Sequence, residues 1–391
     1  MPTTPFRNLL YRAALPVCAP SPRGQMSHQA EGHDIDLSAY ERLLCRHRVL
    51  GSSLLLTDGT AQAMVHTSVS RPRHHADAGT LYRVASITKM ATALVTLMLC
   101  DDGAFSLDTP VSALLPDGGK AAALEGVTLR HLLCHTSGLR DTTAYDRALR
   151  EGKTFHDVLS QPDVRVGKPG EAMVYCNLGF GLLGCVLEHA AGLSIEALFR
   201  ERLFGPLGMR ATLDASTLRE EDIMPISRVL PYRPGQDVTI TALGRRPLGD
   251  PDPLRHFGHT AGAMYTDCPS LLRLLHLMAN GGEAGGKRLV SPKAMAEMTT
   301  QQSFCGPAAR PTRRYGLGLV LLHREDISPH PLLGHQGFAY GCVDGAFIEQ
   351  ETGRAVVFLN GGASEAREGR LGLCNRNLLR WALGRELPQW T

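Results

Sequence analysis

Extended segments lie at both ends of this chain and helical segments fill its middle, and this distribution narrows the possible folds more than any other feature. Val49 to Leu56 and Ala61 to Val69 are extended runs joined by Thr57-Asp58-Gly59-Thr60, and Asp-Gly between such runs predicts a hairpin. Extended patterns return at Arg314 to His323, Gly341 to Gln350 and Ala355 to Leu359, the last two joined by Glu351-Thr352-Gly353. Between the two sets, Thr128 to Cys134, Phe155 to Gln161, Gly179 to Ala191 and Ser194 to Leu203 have helical patterning, with Ser194 as a cap. Asp36 to His47 reads as an amphipathic helix with Leu37, Tyr40, Leu43 and Leu44 on one face. Further helices are expected over Leu271 to Asn280, with Ser270 as cap, and over Arg367 to Leu383. Strands from the two termini must then meet in one sheet, with a helical domain inserted between them. The expected fold is α/β (α+β), with residues 36–100 and 255–391 forming the sheet domain and 101–254 a mainly helical insertion. Asp214 to Pro253, rich in Pro, Gly and Arg, reads as an irregular excursion.

Composition removes several function classes. The chain has 391 residues, is 43% apolar, and carries a formal net charge of +3 with no basic stripe along the sequence, so nothing points to nucleic acid. It contains no run of about 18 apolar residues, and no membrane span is expected. The apolar stretch Ala13 to Ala19 is short and cut by Pro16, a poor secretory signal. Residues 1–35 are read as a disordered leader and the protein as cytoplasmic. The ten cysteines are scattered, without C-x-x-C spacing, which argues for reduced thiols and against a structural zinc site.

The chemistry concentrates in three places. Ser86 and Lys89 precede the apolar run Ala91 to Cys100, and nowhere else does a Ser stand three residues before a Lys. Residues at i and i+3 share a helix face, so a helix from Ser86 to about Asp101 sets the hydroxyl at its electropositive N-terminus, within reach of the amine. A serine hydroxyl needs a base to become a nucleophile. A buried lysine can serve, and an arginine cannot. Tyr175-Cys176-Asn177 is the sole Tyr-x-Asn. In an extended turn its two outer side chains point the same way, offering a proton-transferring phenol and an amide that can orient both the lysine and a substrate carbonyl. Cys176 between them is read as part of the wall. In His335-Gln336-Gly337-Phe338 the glycine at a strand edge admits a ligand close to the backbone. The N–H groups of Phe338 and Ser86 then form a candidate oxyanion hole, with His335 binding or polarising the substrate. His135, in HLLCHTSGL, is read as structural.

Ser-x-x-Lys, Tyr-x-Asn and His-x-Gly in this order resemble the motif set of the serine β-lactamase and penicillin-binding-protein superfamily, in particular its class C-like branch of D,D-carboxypeptidases, D-aminopeptidases, esterases and acyltransferases. The resemblance runs from about Asp36 to Gly384 and includes TLYRVASITKMATALVTLML, VTLRHLLCHTSGL, PGEAMVYCNLGFGLLGCVLE, LFGPLGM and YGLGLVL. It implies a β-lactamase/transpeptidase-like fold, an antiparallel sheet flanked by helices. It implies Ser86 as acylated nucleophile, Lys89 as its activator, Tyr175 as proton shuttle and Asn177 as positioner, with His335 to Gly337 lining the site. Two departures stand out: the third motif, where Gln336 also takes the place of a small hydroxyl residue or glycine, and the poor secretory signal, since cell-wall and antibiotic-resistance enzymes work outside the cytoplasm. Class C β-lactamases carry Lys-Thr-Gly where this chain has His335-Gln336-Gly337, and a neutral histidine holds a carboxylate less well than a lysine does. The chain also lacks the class A Glu-x-x-Leu-Asn stretch, which leaves water activation to Tyr175.

The expected function is that of a metal- and cofactor-independent serine acyl hydrolase acting on a small ester or amide. An acyltransferase, a β-lactamase or D,D-carboxypeptidase, and a non-catalytic binding protein are the alternatives. Selectivity is expected in the loops around Arg140 to Lys153 and Asp214 to His259.

Overall fold

A computed structural model of the chain describes residues 5–19, 21–71, 73–116, 122–231, 233, 236–305 and 313–384. Its α-helices are α1 (Pro5–Cys18), α2 (Leu37–His47), α3 (Thr88–Asp101), α4 (Leu129–Leu133), α5 (Thr143–Glu151), α6 (Phe155–Leu159), α7 (Asn177–Ala191), α8 (Ile195–Phe199), α9 (His259–Gly262), α10 (Cys268–Ala279), α11 (Pro292–Thr299) and α12 (Leu373–Leu383). The N-terminal strands are β1 (Met26–Gly32), β2 (Ser52–Thr57) and β3 (Gln62–Val69). Short pieces follow: β4 (Tyr82–Arg83), β5 (Ala211–Thr212), β6 (Tyr265–Thr266), β7 (Glu283–Ala284) and β8 (Lys287–Arg288). The C-terminal strands are β9 (Ser303–Cys305), β10 (Arg313–Tyr315), β11 (Val320–Leu322), β12 (Leu332–Ala339), β13 (Cys342–Glu349), β14 (Ala355–Asn360), β15 (Arg367–Glu368) and β16 (Leu371–Gly372).

Nine strands form one antiparallel sheet in the order β1-β3-β2-β14-β13-β12-β11-β10-β9. The two termini meet in its middle, where β2 pairs with β14 from Thr57 opposite Ala355 to Ser52 opposite Asn360. The hairpin predicted around Asp58-Gly59 closes with Thr57 opposite Gln62. Alternation along these strands feeds two cores. Leu55, Val357 and Leu359 join the core that contains α3, α7 and α10, while Leu54, Leu56, Val356 and Phe358 join a second core with Tyr40, Leu378 and Trp381 of α2 and α12. The sheet therefore separates α3 from the α2–α12 layer. Among the described residues no single helix is long and apolar enough to cross a membrane.

Several expectations are corrected. The leader holds α1 and β1, where disorder was expected. Strand β1, MSHQAEG, is polar and mostly exposed, so no apolar alternation marks it; its pairing with β3, Met26 opposite Val69, defines it. Helix α1 is tied to the C-terminal region, because the amide of Asn8 brackets the backbone of Arg367 and the Glu365 N–H donates to the Tyr11 hydroxyl. The last helix begins at Leu373, since residues from Arg367 first turn through a β15–β16 hairpin. The extended segment Arg314 to His323 breaks into β10 and β11, and its turn is pressed onto α3: a Cβ on Gly318, whose φ is +72°, would lie 2.7 Å from the Lys89 carbonyl oxygen. Asp267 caps α10 by accepting from the Ser270 N–H, one turn earlier than expected.

Candidate active site

The segment that carries Ser86 is held from both ends. Strand β4 pairs with β6, and the Val84 N–H donates to the Met264 carbonyl at 3.0 Å. Ala85 then adopts a left-handed backbone with φ 46°, a conformation that disfavours a side chain with Cβ. Thr88 fixes it: its hydroxyl donates to the Ala85 carbonyl at 2.6 Å and accepts from the Met264 N–H at 3.2 Å. Ser86 sits half-buried in the single 3₁₀ turn Ala85–Ile87 that leads into α3. The helix predicted from Ser86 is present, and its next eleven residues from Thr88 to Met98 are buried.

Lys89 is fully buried, and its Nζ reaches three oxygens: Ser86 Oγ at 3.2 Å, Asn177 Oδ1 at 2.8 Å and the Ala261 carbonyl at 2.6 Å. Among the described residues no carboxylate lies within ion-pair distance of it. The rings of Tyr175 and Phe180 complete its surroundings, with centroids at 5.0 and 5.2 Å. Three partners suit either protonation state. An ammonium donates to all three oxygens. A neutral amine keeps its two outer donations and turns a lone pair to the Ser86 hydroxyl.

Tyr175 and Asn177 flank Cys176, whose extended backbone (φ −137°, ψ 119°) precedes α7. Asn177 reaches Lys89 through its Oδ1, while Tyr175 meets the amine with the face of its ring. Cys176 itself is buried, and burial together with the Asp141 charge pushes its thiol well above the usual range, as suits a wall residue. Two further residues organise this turn: Asp141, which no sequence pattern exposed, and His135, read from the sequence as structural. Asp141 Oδ1 accepts from the Asn177 and Leu178 N–H groups at 2.7 and 2.9 Å, and its Oδ2 accepts from Asn177 Nδ2 at 2.8 Å. It thus caps α7 and turns the Asn177 amide so that its oxygen faces Lys89. His135, with φ 61°, accepts the Cys176 N–H at Nδ1 (3.2 Å), which puts its proton on Nε2. Its ring lies 4.2 Å from that of Tyr175, 5.1 Å from Phe180 and 4.9 Å from Tyr315. Burial, reinforced by the Lys89 charge, holds His135 well below the ordinary histidine range, so the ring is neutral.

The third motif lies on β12, which runs beside the Ser86 turn. A Cβ on Gly337 would stand 2.4 Å from the Val84 carbonyl oxygen, so glycine is what lets strand and turn touch. The His335 ring centroid is 6.4 Å from that of Tyr175. Its Nδ1 meets the Gln336 carbonyl at 2.7 Å and its Nε2 the Tyr315 hydroxyl at 3.0 Å, so a direct bond from this ring to a substrate requires exchange of one of these. Gln336 points away from Ser86: its amide nitrogen donates to the Arg370 carbonyl at 2.6 Å and its oxygen accepts from the Gly372 N–H at 3.0 Å. That anchors the β15–β16 hairpin to β12 and explains how an amide fits where a small residue was expected. Phe338 packs under the guanidinium of Arg367, whose central carbon is 3.7 Å from the ring centroid. Among the described residues, no group of three or more His, Cys, Asp or Glu side chains is placed to hold a metal ion.

Comparison with known proteins agrees with this fold. The family described as Beta-lactamase matches residues 37–372. The chain is 28% identical over 340 residues to penicillin-binding protein 4 of Amycolatopsis lactamdurans, covering 83% of this chain and 84% of that protein. It is 27% identical over 353 residues to esterase EstB of Burkholderia gladioli, covering 81% and 86%. In three dimensions it is similar to a D-stereospecific amidohydrolase from Streptomyces sp., with a TM-score of 0.66 at 24% identity over 85% of this chain and 96% of that one. With the family matched over most of its length and the antiparallel fold shared, the chain belongs to the beta-lactamase family.

Proposed function

We propose that this chain is a serine acyl hydrolase that works through a Ser86 acyl-enzyme on a small ester or amide. The observation that carries the reading is the buried Lys89 amine between Ser86 Oγ, Asn177 Oδ1 and the Ala261 carbonyl. A substrate carbonyl lies between the N–H groups of Ser86 and Phe338, which stabilise the negative charge that develops on its oxygen. Ser86 Oγ bonds to the carbonyl carbon as its proton passes to Lys89. Tyr175, beside that amine, relays a proton to the departing alcohol or amine as the scissile bond breaks. Water then attacks the acyl carbon, losing a proton through Tyr175, and the bond to Ser86 Oγ breaks with return of its proton.

Ester and amide substrates are favoured over β-lactams by the third motif, where His335 replaces a lysine and is engaged with Tyr315. The names of the related esterase and of the structurally similar amidohydrolase support the same reading. The described cysteines are free and mostly buried, which fits a reducing compartment such as the cytoplasm.

The test is hydrolysis of p-nitrophenyl butyrate, with labelling by a fluorophosphonate, in the wild type and in Ser86→Ala. Turnover and label should both vanish in the variant, while its melting temperature stays near that of the wild type. Full activity in Ser86→Ala would overturn the mechanism. Intact mass after incubation with a penicillin adds a second arm: a persistent adduct at Ser86 would move the substrate class towards β-lactam-like peptides.

A further inference from the structure

On the face of the sheet opposite Ser86, α2, α12 and the segment before β1 line an open, concave cavity of about 750 Å³. Five arginines line it: Arg23, Arg42, Arg46, Arg48 and Arg380. Arg42, Arg46 and Arg48 come from α2 and its C-cap, and the packing of α2 against α12 and the segment before β1 brings Arg380 and Arg23 beside them. Some arginines elsewhere are matched to carboxylates, as Arg130 is with Asp108 and Glu297 and Arg376 with Asp326 and Glu368. Here, among the described residues, none of Arg23, Arg42, Arg46 and Arg48 has a carboxylate within ion-pair distance. Arg42 and Arg46 are also an i, i+4 pair of like charge on α2, an arrangement that costs helix stability by itself.

The helix end explains part of the cluster. Cations at a helix C-terminus are favourable, and Arg48 Nη1 donates to the Cys45 carbonyl at 2.6 Å. The packing sets Arg23, Arg42 and Arg46, together with Arg380 of α12, around a concave surface whose apolar floor comes from Leu43 and the buried Trp381. Guanidinium groups converging on a cavity suit tetrahedral oxyanions, which they bind through paired N–H donors. The apolar floor suits a carbon moiety attached to such a group.

We propose that this cavity is a second ligand site, separate from the catalytic serine, for an organic anion bearing phosphate groups. Two sources share that chemistry: a soluble phosphorylated metabolite and the headgroup of an anionic phospholipid. Helix α1 adjoins the rim, since Arg48 Nη2 donates to the Pro16 carbonyl at 3.4 Å, and it exposes Phe6, Leu9, Leu10 and Val17.

The experiment uses the full chain, its Arg42→Gln/Arg46→Gln double variant and, from a different element, Arg380→Gln. Binding of inorganic pyrophosphate is measured by calorimetry at low salt, and binding to phosphatidylglycerol–phosphatidylcholine vesicles by co-sedimentation. Pyrophosphate binding that weakens about tenfold or more in the double variant, and weakens also in Arg380→Gln, supports the site. With no vesicle binding, that result assigns it to a soluble ligand. Vesicle binding lost in the same variants assigns it to a lipid headgroup. Absence of binding to either probe overturns the proposal, as does binding that the three substitutions leave unchanged. Melting curves of each variant separate loss of the site from loss of the fold.

Discussion

Replacing Asp141 by Asn tests the candidate site at a residue that never touches substrate. In the native arrangement Asp141 Oδ1 accepts from two backbone N–H groups and Oδ2 accepts from Asn177 Nδ2. An Asn at 141 keeps its oxygen on the two backbone donors, because turning the amide would set NH₂ against both. Its nitrogen then faces Asn177 Nδ2, donor against donor. Asn177 relieves the clash by rotating its amide, which presents NH₂ in place of oxygen to Lys89 Nζ. The 2.8 Å bond from Lys89 to Asn177 is thereby lost. A charge-assisted bond of this kind is worth about 1.5–3 kcal/mol, or about 10- to 150-fold in rate if the transition state needs it in full. Asp141→Asn should therefore lower kcat/KM for p-nitrophenyl butyrate by one to two powers of ten with little change in melting temperature. Asp141→Ala removes the helix-capping acceptor as well and should in addition cost about 1–2 kcal/mol of stability in urea unfolding. Wild-type turnover and pH–rate profile in Asp141→Asn would refute the claim that this carboxylate sets the Asn177 amide for Lys89.

Three further outcomes are expected. Gly337→Ala places a methyl 2.4 Å from the Val84 carbonyl oxygen, so β12 must shift from the Ser86 turn; kcat should fall about 100-fold or more as the Phe338 N–H leaves its position, and unchanged kcat would remove the oxyanion role. Burial lowers His47 and His259 from 6.5 to about 4, so both bind protons more readily when unfolded. Their contribution is complete above pH 6.5 and is lost as pH falls towards 4, by up to about 3 kcal/mol each, which urea titrations across that interval will read; a flat stability profile would contradict it. Asp344 is buried with Oδ2 unpartnered, and burial raises its carboxyl well above 3.8. Keeping it protonated costs stability increasingly as pH rises, so Asp344→Asn should gain on the wild type from pH 5 to pH 8 in melting temperature, and a widening loss would speak against a neutral carboxyl.

The proximity of the candidate site residues was legible in the sequence because each lies in a short local motif. Ser86 and Lys89 are one helical turn apart, and Tyr175 and Asn177 one extended pair apart, so backbone geometry alone puts each pair on one side. The hairpin at Asp58-Gly59 and the apolar helix α3 were legible for the same reason. Asp141 was not legible, and His135 was legible as structural but without its partner: their roles depend on bonds to Cys176, Asn177 and Leu178 some 36 to 41 residues away. Strand β1 escaped notice because an edge strand with mostly exposed residues needs no apolar alternation, only the backbone of β3.

The sequence by itself determined the local chemistry, a serine, a lysine and a phenol at spacings that helices and turns convert into proximity, and the placing of sheet-forming segments at both ends of the chain. Tertiary structure alone decided how these pieces meet. It closed the sheet between β2 and β14, and it pressed Gly337 onto Val84 and Gly318 onto Lys89. It also engaged His335 with Tyr315, and it brought Arg23 and Arg380 to the arginines of α2 around one cavity. Those contacts join residues tens to hundreds of positions apart, and only the packing of the whole chain sets their distances.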